Sequence, residues 1–121
     1  MAAAASPTLT VVCTSPDTVG TPSTCVATLS GYAGDTDGQP VLFRYASNSD
    51  GTGSFSPSTG ATTGGCILSS GTCSVTFTPA NVGPYLITSG YPGDANNADS
   101  ITHAAVISTP GAVVSTAGAL A

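Results

Sequence analysis

Residues 73–78 of this chain, CSVTFT, alternate without a break: Cys73, Val75 and Phe77 fall on one side, Ser74, Thr76 and Thr78 on the other. A period of two is the signature of a strand with one buried and one solvated face. The same rhythm returns along the chain. Leu9, Val11 and Cys13 share a face, as do Cys25, Ala27 and Leu29. Val41, Phe43 and Tyr45 share another, with Arg44 opposite, and Tyr85, Ile87 and Tyr91 mark a later run. Residues 100–107 form a last strand carrying Ile101 and Ile107. GYAGDTDGQP, NSDGTG and YPGDANNAD separate these runs, with turn pairs at Asp37-Gly38 and Asp50-Gly51. Seven or eight short strands with turn signals every 8–12 residues, and no helical period, predict an antiparallel sandwich.

Composition supports that reading and narrows the function. The 121 residues suit one domain with a modest core. Hydrophobic residues make up 40%, which separates the chain from disordered sequences, although only 6% of residues are charged. Hydroxyls supply the polarity instead, with 19 Thr and 16 Ser. Arg44 is the single basic residue and the net charge is -5. Neutralising nucleic-acid phosphates or holding an anionic membrane needs several cations, so both partners are excluded. No apolar run is long enough to span a bilayer as a helix.

Four cysteines remain to be placed. Zinc sites favour short Cys-x2–4-Cys pairs, and redox motifs favour Cys-x-x-Cys. The spacings from Cys13 to Cys25 and from Cys66 to Cys73 fit neither. Three pairings are open. A hairpin reading favours 13–25 and 66–73. With residues 68–71 as a loop, Ile67 would face Thr72 and Cys66 would face Cys73; TLTVVC and CVATL would pair across TSPDTVGTPST. Each bridge would contribute about 2.5–3 kcal/mol by loop entropy. Disulfides imply an oxidising compartment, outside the cell or on its surface.

NVGPY, residues 81–85, enters a strand as Asp-x-Gly-x-Tyr would, with Asn in the Asp place. That is the pattern of a tyrosine corner, in which the Tyr85 hydroxyl bonds to upstream backbone. The ordered set CTSPDTVGTPSTCVATL, VLFRYASNSDGTGSFSPS and CILSSGTCSVTFTPANVGPYLITSGYPGDANNADS resembles a bacterial Ig-like repeat domain (Big family, disulfide-containing group) over about residues 8–108. The resemblance implies an Ig-like sandwich whose cysteines are structural disulfides. It implies a place in secreted or cell-surface proteins, often in tandem with other repeats as stalks, adhesins or accessory modules. It carries no shared catalytic residue. The chain departs from antibody-type domains in having no Trp and no inter-sheet disulfide of their kind.

Chemistry-bearing residues are few. His103 is the only histidine and lies in the last strand, and no nucleophile motif surrounds any serine. The chain reads as non-enzymatic, with no cofactor. Asp35, Asp37 and Asp94 sit in Gly-rich loops without the continuation of a calcium loop, and capping of their own backbone is the expected role. No Asn-x-Ser/Thr sequon occurs, so any glycan would be O-linked.

Residues 1–7 and 109–121 flank the sandwich. MAAAASP has neither a basic nor an apolar signal region and is expected to be a linker, any export signal lying elsewhere. STPGAVVSTAGALA is expected to be a linker or a donor strand laid on a neighbour. The leading expectation is a spacer or supporting module whose partners are neighbouring repeats. A self-assembling filament joined by terminal strands is the first alternative. An adhesive or carbohydrate-binding module using Tyr32, Tyr91 or nearby loops is the second.

Overall fold

In the computed structural model, residues 4–47 and 51–110 are described. They form nine strands: β1 Thr8–Cys13, β2 Asp17–Thr18, β3 Ser23–Ser30, β4 Pro40–Ser47, β5 Gly53–Ser56, β6 Thr63–Ile67, β7 Thr72–Pro79, β8 Gly83–Tyr91 and β9 Ser100–Thr109. There is no helix among them. The Asp50-Gly51 turn lies partly, and the 111–121 tail wholly, outside the described residues.

The strands form two sheets, ordered β1-β3-β7-β5 and β2-β9-β8-β4-β6. All strand pairings are antiparallel except β2 with β9, where Asp17 lies beside Ser108 and Thr18 beside Thr109; the isolated bridge of Ala5 with Asn97 is also parallel. This two-residue strand raises the count above the seven or eight expected. It is too short to show any alternation, so nothing distinguishes it from the surrounding turn residues in sequence.

The inner faces follow the period-two pattern. Cys25, Ala27, Leu29, Val75 and Phe77 of one sheet meet Val41, Phe43, Tyr85, Ile87 and Tyr91 of the other, all buried. One end of the core is aromatic. Phe77 packs on Phe55 and on Tyr85 with ring centroids 5.1 Å apart in each pair, and Tyr45 lies 5.3 Å away. Such tilted pairs add to the burial of the rings themselves.

One expectation fails. Cys66 and Cys73 do not face each other across a hairpin. β6 pairs with β4, placing Cys66 beside Val41, while β7 pairs with β3 and β5 in the other sheet. The intervening turn, with Ser70 and Gly71 both at positive φ, transfers the chain between layers. Loop length alone does not separate a hairpin from such a corner. The last strand turns its isoleucines to solvent. Val106 and Ser108 point inward and are buried; Ile101 and Ile107 point outward.

Candidate functional site

The four cysteines form two disulfides that hold different things together. Cys13 and Cys25 are register partners in β1 and β3, with Cα atoms 3.9 Å apart. This bridge reinforces one strand pair. Cys66 and Cys73 are bonded with Cα atoms 5.8 Å apart and belong to opposite sheets. This second bridge ties layer to layer.

Tyr85 is buried, and its hydroxyl donates to the Thr52 carbonyl at 2.6 Å. The Asn81 carbonyl lies at 3.4 Å. The Asn81 side chain completes the arrangement, its Oδ1 accepting from the Thr52 amide at 2.9 Å. The Ala80 amide also donates to the Thr52 carbonyl, at 2.8 Å. Thr52 backbone is thus held from both sides just before β5. Burial raises the Tyr85 pKa above its ordinary value. Thr52 lies 33 residues from Tyr85, and no sequence signal links them.

A second network lies at the β8–β9 end. The buried Tyr91 hydroxyl donates to Asp94 Oδ2 at 2.6 Å, and the Asn96 amide donates to Asp94 Oδ1 at 2.7 Å. Desolvation, then the Asp94 carboxylate, push the Tyr91 phenol up to about 12. The Tyr91 hydrogen bond holds the Asp94 carboxyl below the usual range. Buried Asn97 exchanges two bonds with Ala33 backbone, at 2.7 and 2.9 Å, joining this loop to residues 31–39. Asp35 caps the Asp37 amide, and Asp37 caps the Ser70 amide. The loop carboxylates therefore serve backbone.

These contacts remove the aromatic basis of the carbohydrate-binding alternative. Tyr91 is a buried strand residue, and Tyr32 is half-buried against the core. Both were loop candidates because turn residues flank them, but their rings close the sandwich end. His103 Nδ1 lies 3.0 Å from Thr88 Oγ1 on an exposed sheet face. Among the described residues no three His, Cys, Asp or Glu side chains gather as a metal site. No described helix is long and apolar enough to cross a membrane.

One buried acid has no counterpart in the sequence reading. Asp17 is buried in β2, its Oδ2 has no hydrogen-bond partner among the described residues, and burial raises its pKa. The Ser108 hydroxyl, on its register partner, is equally buried and unbonded.

The outer faces differ sharply. The four-stranded sheet presents Thr10, Thr24, Thr28, Ser74 and similar hydroxyls around Val12 and Val26. The five-stranded sheet presents Leu42, Ile67, Leu86, Ile101 and Ile107, all between 44% and 62% exposed.

No family model matches the chain, and no curated protein sequence is recognisably similar to it. Solved structures do share its fold. A conjugative transposon lipoprotein from Bacteroides eggerthii superposes with a TM-score of 0.52 at 14% identity, covering 83% of this chain and 95% of its own. A cohesin module from a Clostridium perfringens family 33 glycoside hydrolase gives 0.52 at 13% identity, covering 87% and 98%. At such identities the likeness shows the fold alone, an all-β sandwich of two sheets.

Proposed function

We propose that this chain is a non-enzymatic structural module of an extracellular or cell-surface protein, an Ig-like repeat of the bacterial type that spaces or supports its neighbours. One observation carries the reading. The described residues begin and end at opposite poles. Ala5 is bonded to Asn96 and Ala98 beside the β8–β9 loop, while Thr109 closes β9 beside Thr18 at the far end. Ten residues of β9 separate these points, about 30 Å at strand rise. A sandwich joined at its two poles extends a stalk with each copy, whereas one with adjacent ends hangs from it. The disulfides suit an oxidising compartment. Both solved neighbours, a lipoprotein and a cohesin module, are compatible with a non-catalytic role outside the cytoplasm.

The test is location together with thiol state. Antibody against the folded protein is expected to label intact, unpermeabilised source cells, and alkylation during extraction is expected to find no free thiol. Labelling only after permeabilisation, or four alkylated cysteines, overturns the reading.

A further inference from the structure

The outer face of the five-stranded sheet is patterned in rows. Register sets Gly65, Leu42, Gly90 and Ile101 side by side across β6, β4, β8 and β9. Thr63, Arg44, Thr88 and His103 form the next row, and Ala46, Leu86 and Ala105 the one after. The first row alternates a glycine with a large aliphatic side chain. Gly90 opens a hollow of about 420 Å³ between Leu42 and Ile101, with the exposed Asp99 in its lining. In the third row Leu86 stands between two alanines, beside a second hollow of about 260 Å³. Leu42, Leu86 and Ile101 are all exposed. Large aliphatic side chains exposed together on one face mark a surface that something covers.

The rows are complementary to themselves. A half-turn about an axis parallel to the strands, midway between β4 and β8, lays β4 of one copy on β8 of another and β6 on β9. Leu42 then falls on Gly90 of the second copy, and Leu86 on its Ala46. Ile101 falls on its Gly65, a narrower gap, because a Cβ there would meet Thr59 Cγ2 at 3.4 Å. Arg44, the only basic residue of the chain, falls on Thr88. An axis crossing the strands at the middle row also sets large side chains on small ones, Leu42 on Ala46 and Leu86 on Gly90, but it sets Arg44 on Arg44. Charge therefore selects the parallel axis. Sheets packed face to face cross at about 30°, so the fit is best near the axis, where Leu42, Gly90, Ala46 and Leu86 lie. Area admits the pair. Four strands about 4.8 Å apart and the run from Pro84 to Pro92 give a footprint of roughly 19 by 26 Å, or about 1,000 Å² over both copies, the lower bound of a specific interface.

We propose that two copies of this chain pair face to face through the five-stranded sheet, β4 of each on β8 of the other, as a weak dimer. An isologous contact of this kind closes at two copies. It leaves both poles free and sets like poles together, so two modules run side by side in the same direction. The proposal goes beyond the stalk reading and does not depend on it.

The test is sedimentation equilibrium of the full chain from micromolar to millimolar concentration. A monomer–dimer equilibrium in the micromolar range is expected. In a mixture of isotope-labelled and unlabelled chains, contacts between copies should join the Leu42 methyls to Gly90 and the Leu86 methyls to Ala46. Two substitutions should weaken the dimer about tenfold or more while the sandwich amide spectrum persists. Gly90→Val fills the hollow, and its Cβ meets only Ile101 Cγ1 at 3.8 Å, so its own sheet accommodates it. Leu86→Asp sets a charge against Ala46 of the other copy. Val12→Asp puts the same charge on the outer face of the other sheet and should leave the affinity as it was. A monomer throughout overturns the proposal. So does a dimer that tolerates both substitutions, or one that Val12→Asp weakens equally. Contacts between copies that join Leu42 to Ala46 would select the crossed axis and overturn the arrangement.

Discussion

Tyr85 and Asp17 show opposite outcomes for a buried polar group. Tyr85 places its ring in the aromatic end of the core and its hydroxyl on the Thr52 carbonyl. Tyr85→Phe keeps the ring and removes one hydrogen bond, so chemical denaturation should show a loss of about 0.5–1.5 kcal/mol with an unchanged m-value. The value should fall toward the lower end, because the Thr52 carbonyl still accepts from the Ala80 amide. Asp17 is buried with one carboxylate oxygen unpartnered among the described residues. Its folded pKa lies above the ordinary 3.8, so the fold binds its proton more tightly than the unfolded chain does. The penalty is therefore absent below 3.8, grows as pH rises through the folded pKa, and is complete above it. Asp17→Asn should raise the melting temperature at pH 7 and leave it unchanged at pH 3. An equal effect at both pH values would mean that packing, and not ionisation, sets the cost.

The two disulfides act on different elements, and their removal should be felt in different places. β1 is an edge strand already held to β3 by six register pairs from Thr8 to Cys13. Replacing Cys13 and Cys25 with alanine should cost about 3 kcal/mol, chiefly by freeing the unfolded chain. Hydrogen exchange should then quicken mainly in β1. The 66–73 bridge crosses between the layers, so the matching double replacement should cost about 2.5 kcal/mol and quicken exchange in both β6 and the start of β7. Exchange confined to one sheet would argue that the bridge is only a local clip. These elements also show how far sequence reaches. β1, β3, β7 and β8 were legible because most of their inward residues are apolar, with Ser23 and Ser89 the buried exceptions. The facing of β9 was not legible, because its large isoleucines, Ile101 and Ile107, are on the solvent face, while small Ser108 and Ala104 are on the inner side. The 66–73 corner was legible as a cysteine pair and illegible as a layer crossing, since pairing partners 25 and more residues away in β4 decide it. The Tyr85–Thr52 bond depends likewise on contacts between distant segments, which alternation does not encode. Aspartates that cap neighbouring amides, as Asp35 does for Asp37, are short-range and were readable.

At the scale of the whole molecule, opposite-pole connection and two short covalent loops define how the module should respond to tension. Pulling from residues beyond Ala5 and Thr109 loads β9 and the N-terminal segment along the long axis of the sandwich. When the domain gives way, an oxidised chain cannot extend through its bridged segments. Those hide 12 and 7 residue steps. At about 3.4 Å per step the hidden chain is about 65 Å, less the roughly 10 Å that the bridged Cα pairs already span. Single-molecule extension should therefore release about 55 Å more contour length in reductant than without it. The oxidised domain should also open at higher force, because the 66–73 bridge still couples the two sheets as the strands begin to part. Pairings that cross the chain, such as 13–66 with 25–73, would hide on the order of 200 Å instead. Equal lengths in both conditions would show that the cysteines are unbridged in the protein under test. A module that keeps most of its contour available, yet locks its layers covalently, suits repeated loading in a stalk, and the extension measured per domain is the number that decides it.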